Sequence, residues 1–459
     1  MSLDKITEQK IKEYNPWHHD SDFLFQKEHE YQKRQQFQQL EKYLSQKMII
    51  SLIGLRRTGK STIIKQAINE LLQIKTKPKD IFFYQFEELD IDLEGILSFY
   101  LENILKQNIH QADCYIFLDE LQFIPNWQNV LKRYYDLNTD IKFIISRSTH
   151  LYLHKNTHES LAGRILDIKI EPFHFLEWLN FKYQKKYPEL LNVTNIFDKN
   201  FFKIIQENRD ILLFKNDFKN FLSFGEFPYF FHNASSFELE NYYQKSILEK
   251  IFSHDIKFFD VENFSSFLNL FKTLNQNTAG AINISNMARE INLNKATIKR
   301  YINILEKMFL YNYISKHSKS IRTQVSSFKK GYSCSLNLLR TSLNLDYENI
   351  YKEIWGHIIE TFVYNELRRQ NAQSVMYDIH FYNNAREKQE VDFVLSYKND
   401  LIPIEVKTNS EIKKNYFRGL VYFMNKEKLN KGILLYGGNE ILEEKIDHKT
   451  IYCLPYFLI

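Results

Sequence analysis

Apolar residues fall into short, nearly unbroken runs in the first 170 residues and into spaced or alternating patterns after them. The runs at 48–53, 80–86, 114–118, 141–145 and 165–170 read as strands, and unbroken apolarity such as that of 114–118 suits a parallel strand buried on both faces. Residues 62–68 read as helix, and 180–260 as helical with many aromatics. Two amphipathic stretches, 284–291 and 295–306, are separated only by Asn292-Leu293-Asn294. They predict a helix-turn-helix with Ser285 and Asn294 as N-caps, followed by a strand at 310–314. Near the C-terminus, 390–395 and 402–407 alternate and flank a polar turn at Lys398-Asn399-Asp400, which predicts a hairpin. Before it, a helix at 355–363 turns Trp355, Ile359, Phe362 and Val363 inward, with Glu360 at the edge of that arc.

A chain of 459 residues has room for about three domains. Its 38 Phe and 29 Tyr stand at core-like positions and read as packing, while only 12 Gly makes each glycine informative. A net charge of +5 admits a nucleic-acid partner without arguing for one. Cys114, Cys334 and Cys453 form neither a paired framework nor a metal knuckle, and no run approaches a membrane span, so a cytoplasmic protein without a membrane partner is expected.

The decisive chemistry is Gly54-Leu55-Arg56-Arg57-Thr58-Gly59-Lys60-Ser61, the phosphate-binding pattern G-x-x-x-x-G-K-[ST], set between a strand and a helix as the pattern requires. Its backbone N–H groups and helix N-terminus suit phosphates, Lys60 supplies charge to the β/γ-phosphates, and Ser61 is placed to ligate Mg2+. Gly54, Arg57, Thr58, Gly59, Lys60, Ser61 and Thr62 are the expected nucleotide contacts. The third run ends in Asp119-Glu120, where Asp119 would hold Mg2+ and Glu120 would orient or deprotonate the attacking water. The fourth ends at Ser146, a candidate contact to the γ-phosphate, against the plainer reading of a turn-capping hydroxyl. Arg164, just before the fifth, is a candidate arginine finger for its own subunit or a neighbour's, against a surface arginine paired with an acid.

These residues, with Asn15-Pro16-Trp17, Leu118 to Gln122, Pro125-Asn126-Trp127, Leu161 to Arg164 and Glu171 to Trp178, resemble the AAA-type ATPases of bacteria and archaea that carry a winged helix and a restriction-nuclease-like C-terminal domain. The resemblance implies ATP and Mg2+ as ligands, a place near the base for Asn15 to Trp17, and a helical lid. Arg147 departs from it where the family usually has glycine, and the stretch 330–335 lacks the acid that commonly ends that strand.

Lys295, Lys299 and Arg300 near the start of the second helix, with Lys316, His317, Lys319 and Arg322 beyond it, would serve DNA contact, unless the module only packs. In the C-terminal hairpin, period two puts Glu405 and Lys407 on one face. Asp392 and Glu405 could share a divalent cation while Lys407 stabilises a hydroxide or the pentavalent phosphate. The set resembles the PD-(D/E)XK nuclease motif, with Glu360 as a third metal ligand and Glu366 as its rival.

The expected fold is α/β: a parallel P-loop sheet flanked by helices, a helical lid, a winged helix and a C-terminal α/β nuclease-like domain. The corresponding segments are 1–33, 34–180, 181–262, 263–335 and 345–459. The expected function is ATP hydrolysis coupled to action on DNA, with self-association compatible. The alternative is a nucleotide-dependent switch or scaffold that recruits a protein and keeps a silent nuclease fold.

Overall fold

The computed structural model describes residues 4–87, 91–138, 140–148, 161–187, 198, 200–207, 214–232, 235–345, 354–371 and 377–459. Parts of the helical stretch at 181–262 therefore lie outside the described residues. The chain forms two compact units, Met1–Glu171 with His254–Phe259, and Pro172–Ser253 with Asp260–Ile459. Among the described residues no helix is long and apolar enough to cross a membrane.

In the first unit, strands β1 (Ile49–Ile53), β2 (Ile81–Gln85), β3 (Cys114–Asp119), β4 (Ile141–Arg147) and β5 (Ile165–Lys169) make a sheet of order β2-β3-β4-β1-β5. Every pairing is parallel. All five residues of β1 are buried, because helices cover both sheet faces. Ile50, Leu52, Ile63 and Ile144 pack on one side, and Ile49, Phe82, Ile116 and Ile145 on the other. The Lys60–Gln73 helix starts where the phosphate loop that follows β1 ends.

The N-terminal segment covers the β2 edge. The Asn15 side-chain amide donates to the Phe83 carbonyl (2.8 Å) and accepts from the Phe83 N–H (2.7 Å), and the Trp17 indole donates to the Ile81 carbonyl (3.0 Å). A side chain thus completes the ladder that an edge strand leaves open. Trp17 also packs with Ile63, Ile64 and Ala67 of the helix that follows the phosphate loop.

In the second unit one mixed nine-stranded sheet has the order β13-β14-β12-β11-β10-β9-β7-β8-β6. Three strands belong to the helix-turn-helix region: β6 (Gly280–Ala281), β7 (Tyr311–Lys316) and β8 (Lys330–Ser333). The rest are β9 (Asp378–Asn384), β10 (Gln389–Tyr397), β11 (Asp400–Val406), β12 (Lys431–Tyr436), β13 (Leu442–Ile446) and β14 (Lys449–Pro455). Two parallel pairs, Ser315 with His380 and Lys316 with Phe381, join β7 to β9. The Trp355–Asn371 helix contributes Ile359 and Phe362 to a core with Phe393 and Ile404, and the Arg418–Glu427 helix contributes Leu420 and Phe423 to a core with Val391 and Val394.

The helix-turn-helix forms over Ile284–Glu290 and Lys295–Lys307. Asn294 caps the second helix by accepting from the Thr297 N–H. For the first, Ser285 is not the cap. Asn283 is, accepting from the Asn286 N–H at 3.0 Å, so the helix begins with Ile284 already inside it.

Candidate functional site

Gly54 follows β1 with φ 154°, and a Cβ there would stand 2.1 Å from the Ile170 carbonyl oxygen, so only glycine fits. Gly59, at φ 99°, turns the chain into the helix at Lys60. The loop is braced from within and without: the Thr58 hydroxyl donates to the Leu55 carbonyl (2.9 Å), and buried Arg34 donates to the Thr58 carbonyl (2.7 Å). Lys60 is buried and folds back onto the loop, donating to the carbonyls of Gly54 (3.0 Å) and Leu55 (2.9 Å). Burial lowers its pKa, while Glu120 and Asp119 pull the other way. Ser61 and Thr62 are half-buried in the first helical turn, and Arg57 is exposed with φ 66°.

Strand order sets the acids opposite this loop. β4 lies between β1 and β3, so Ser146 at its end reaches both neighbours. The Ser146 hydroxyl donates to Asp119 Oδ1 and accepts from the Glu120 N–H (2.9 Å). Glu120 is held by the Gln122 amide and sits at φ 57°, a left-handed bend that turns it out of the strand direction. Burial and Glu120 push the Asp119 carboxyl up, opposed by hydrogen bonds from Ser146 and Ser61 and by Lys60. Its Oδ2 is buried and has no hydrogen-bond partner among the described residues. An orphaned carboxylate oxygen beside a serine and a lysine fits a hard cation, so Ser61 and Asp119 are suited to Mg2+.

The other first-unit residues are placed differently. Arg164 precedes β5 at the N-terminal edge of the sheet, roughly 15 Å from the loop by strand rise, and pairs with Asp136 at 2.7 Å. It therefore does not reach the phosphate site of its own subunit, and only the neighbouring-subunit role survives as a proposal. Arg147 is buried, donating to Asp167 (2.7 Å) and Ser51 (3.0 Å) and lying over the Trp127 ring, so β4 is tied to β5 across β1 where glycine would leave a gap. Sequence reasoning missed Asp255. It is 1% exposed and takes the Arg56 guanidinium in two-pronged contact at 2.6–3.1 Å, held beside the loop by the short segment His254–Phe259. A partner some 200 positions away leaves no local signal.

In the second unit the hairpin brings Asp392, Glu405 and Lys407 together. β10 carries one extra residue against β9 between Val391 and Val394, a bulge that puts Asp392 at the irregular step. Asp392 Oδ2 accepts from the Val406 N–H (2.9 Å), and Lys407 donates to Glu405 Oε1 (2.5 Å). Glu360 accepts from the Tyr332 hydroxyl (2.9 Å). Burial, then Asp392, pushes Glu360 up to about 7 and Glu405 up to about 8. Glu366 is elsewhere, accepting from the Phe175 N–H and lying beside Arg369 and His174. A residue outside the motif completes the cluster: Lys330 of β8, 2.7 Å from Glu360, 3.3 Å from Glu390 and 3.5 Å from Asp392. Burial alone would lower its pKa, but the carboxylates outweigh it and hold the ammonium charged. This donor set, with a cation of its own, fits a divalent metal poorly. In the helix-turn-helix, Lys295 and Lys299 are exposed, whereas Arg300 is engaged by Asp260 and Glu262 and Lys319 by Glu427.

A five-stranded parallel sheet with a phosphate loop after β1 and paired acids at the end of β3 is the arrangement of a P-loop domain. Residues 46–179 match a family described as an AAA domain. Residues 215–349 and 355–457 match two families described as domains of unknown function, DUF8612 and DUF4143. Similar over most of its length is an uncharacterised protein of Methanocaldococcus jannaschii, 26% identical over 90% of this chain and 85% of that protein. A second from the same organism is 25% identical over 88% and 86%. Among solved structures, the Walker-type ATPase of Pyrococcus abyssi aligns at 11% identity and a TM-score of 0.39, covering 68% of this chain and 95% of that one.

Proposed function

We propose that this chain binds and hydrolyses ATP with Mg2+. The observation that carries the reading is the hydrogen-bonded series Asp119–Ser146–Glu120 at the C-terminal edge of the sheet, facing the phosphate loop. Adenine is the base expected from the AAA-domain match. On binding, the β/γ-phosphates would take Lys60 from the Gly54 and Leu55 carbonyls, exchanging two neutral acceptors for charged ones. Bound Mg2+ would supply a Lewis acid on the phosphate oxygens, held by Ser61 and Asp119. Ser146 fixes the Glu120 backbone, and the Glu120 carboxylate, which takes the Gln122 amide, would orient water and take its proton. Arg164 would serve a neighbouring copy in a homo-oligomer.

For the second unit, the element series helix, β6, helix, helix, β7, a short helix at Ile321–Ser326, β8 supports a winged helix, and the Glu360, Asp392, Glu405 and Lys407 grouping supports a nuclease-like fold. Exposed Lys295 and Lys299 favour action on DNA. Lys330 among the carboxylates favours the other reading, in which the nuclease-like fold is catalytically silent and ATP turnover serves a recruited partner. The two readings separate by phosphate release measured with and without duplex or single-stranded DNA. Stimulation lost in a Lys295→Ala/Lys299→Ala variant supports DNA; turnover indifferent to DNA counts against it.

A further inference from the structure

We propose that Lys330 is the resident cation of the Glu360–Asp392 cluster, its ammonium standing where a nuclease of this fold would hold a divalent ion, so that the second unit keeps these acids together without metal. The inference uses the nuclease-like reading only to say what the cluster is compared with; the geometry stands without it.

Lys330 is 7% exposed at the start of β8 and lies 2.7 Å from Glu360, 3.3 Å from Glu390 and 3.5 Å from Asp392. An ammonium has three N–H donors and nothing to accept with, and three carboxylates match that number. A divalent ion would need oxygens at about 2.0–2.6 Å, converging on one point. Here two of the three expected ligands, Glu360 and Asp392, converge on a nitrogen. A dication placed beside it would face a like charge in a buried setting. Among the described residues no group of three or more His, Cys, Asp or Glu is arranged to hold a metal ion.

The remaining valences are also largely occupied. Asp392 Oδ2 takes the Val406 N–H, Glu360 Oε1 takes the Tyr332 hydroxyl, and Glu405 Oε1 takes Lys407. Both Glu360 contacts fall on Oε1, and Glu405 Oε2 is buried with no hydrogen-bond partner among the described residues.

The position of Lys330 follows from the sheet. β8 reaches this cluster because β7, its partner, pairs with β9 and so carries the helix-turn-helix strands into the same sheet as the hairpin. Lys330 is therefore a positioning residue: it holds carboxylates that would repel one another, and it ties β8 to β10 and to the Trp355–Asn371 helix.

The test uses nucleotide-free full-length protein and Mn2+ as probe, with bound ion counted by the loss of the free-ion electron paramagnetic resonance signal. Wild type and Asp392→Asn are expected to bind the same number of ions. Lys330→Ala is expected to bind one more, lost again when Asp392→Asn is added, and to gain thermal stability with Mn2+ that wild type does not gain. The proposal is overturned if wild type binds an ion that Asp392→Asn loses, or if folded Lys330→Ala takes up no further ion. Should Lys330→Ala not fold, the comparison of wild type with Asp392→Asn decides. An ion found in wild type would overturn the role of Lys330 while strengthening the nuclease-like reading, so the two fail separately.

Discussion

Glu366 shows what burial does to a carboxyl group that sequence alone offers as a metal ligand. It is fully buried, and burial pushes it up to about 8, with Arg369 and the Phe175 N–H only partly opposing. Its unfolded value is near 4.3. Between these limits the folded chain holds a proton that the unfolded chain lacks. The stabilisation from that proton is complete below about 4.3 and is lost as pH rises through about 8. Glu366→Gln, which carries no titrating group, should therefore lose less melting temperature between pH 5 and pH 8 than wild type does. Equal slopes would show that Glu366 is not held neutral. The neighbouring Arg369 donates to Glu226 (2.9 Å) and to the Phe173 carbonyl (2.6 Å), so Arg369→Met should cost about 3 kcal/mol by leaving Glu226 buried and less fully paired. Denaturant unfolding checks this.

The strands and helices were largely legible from pattern. Runs such as 48–53 and 114–118 have to be buried on both faces, and the pairing of Glu405 with Lys407 follows from period two. What the pattern does not carry is which strand lies beside which. Ser146 matters because β4 falls between β1 and β3, and no local feature of 141–147 states that order. The same holds for Asp255 beside Arg56 and for Lys330 among its acids, since each depends on a contact between distant segments. Two changes probe the elements directly. Asn15→Ala removes the amide that satisfies both backbone groups of Phe83 and should cost about 2 kcal/mol, read as a lower unfolding midpoint with ATP affinity little changed. Gly54→Ala should do the opposite to function: its Cβ meets the Ile170 carbonyl, the loop must shift, and nucleotide binding should fall at least tenfold.

Taken as a whole, the chain joins a P-loop unit, matched over residues 46–179 by an AAA-domain family, to a second unit built on one mixed sheet. The residues proposed for phosphates, cation and water, Lys60, Ser61, Asp119, Ser146 and Glu120, all lie in the first unit. In the second, the hairpin gathers Asp392, Glu405 and Lys407, and Lys330 joins them because the β7–β9 pairing merges two sets of strands. Hydrolysis in the first unit is the claim on which the rest depends. The measurement that reaches it most directly is steady-state phosphate release from ATP with Mg2+, paired with ATP affinity, for wild type, Glu120→Gln and Lys60→Ala. Wild-type turnover that falls about a hundredfold or more in Glu120→Gln with affinity retained, and with affinity lost in Lys60→Ala, is the predicted result. Turnover undiminished in Glu120→Gln, or absent from wild type that binds ATP well, would contradict it.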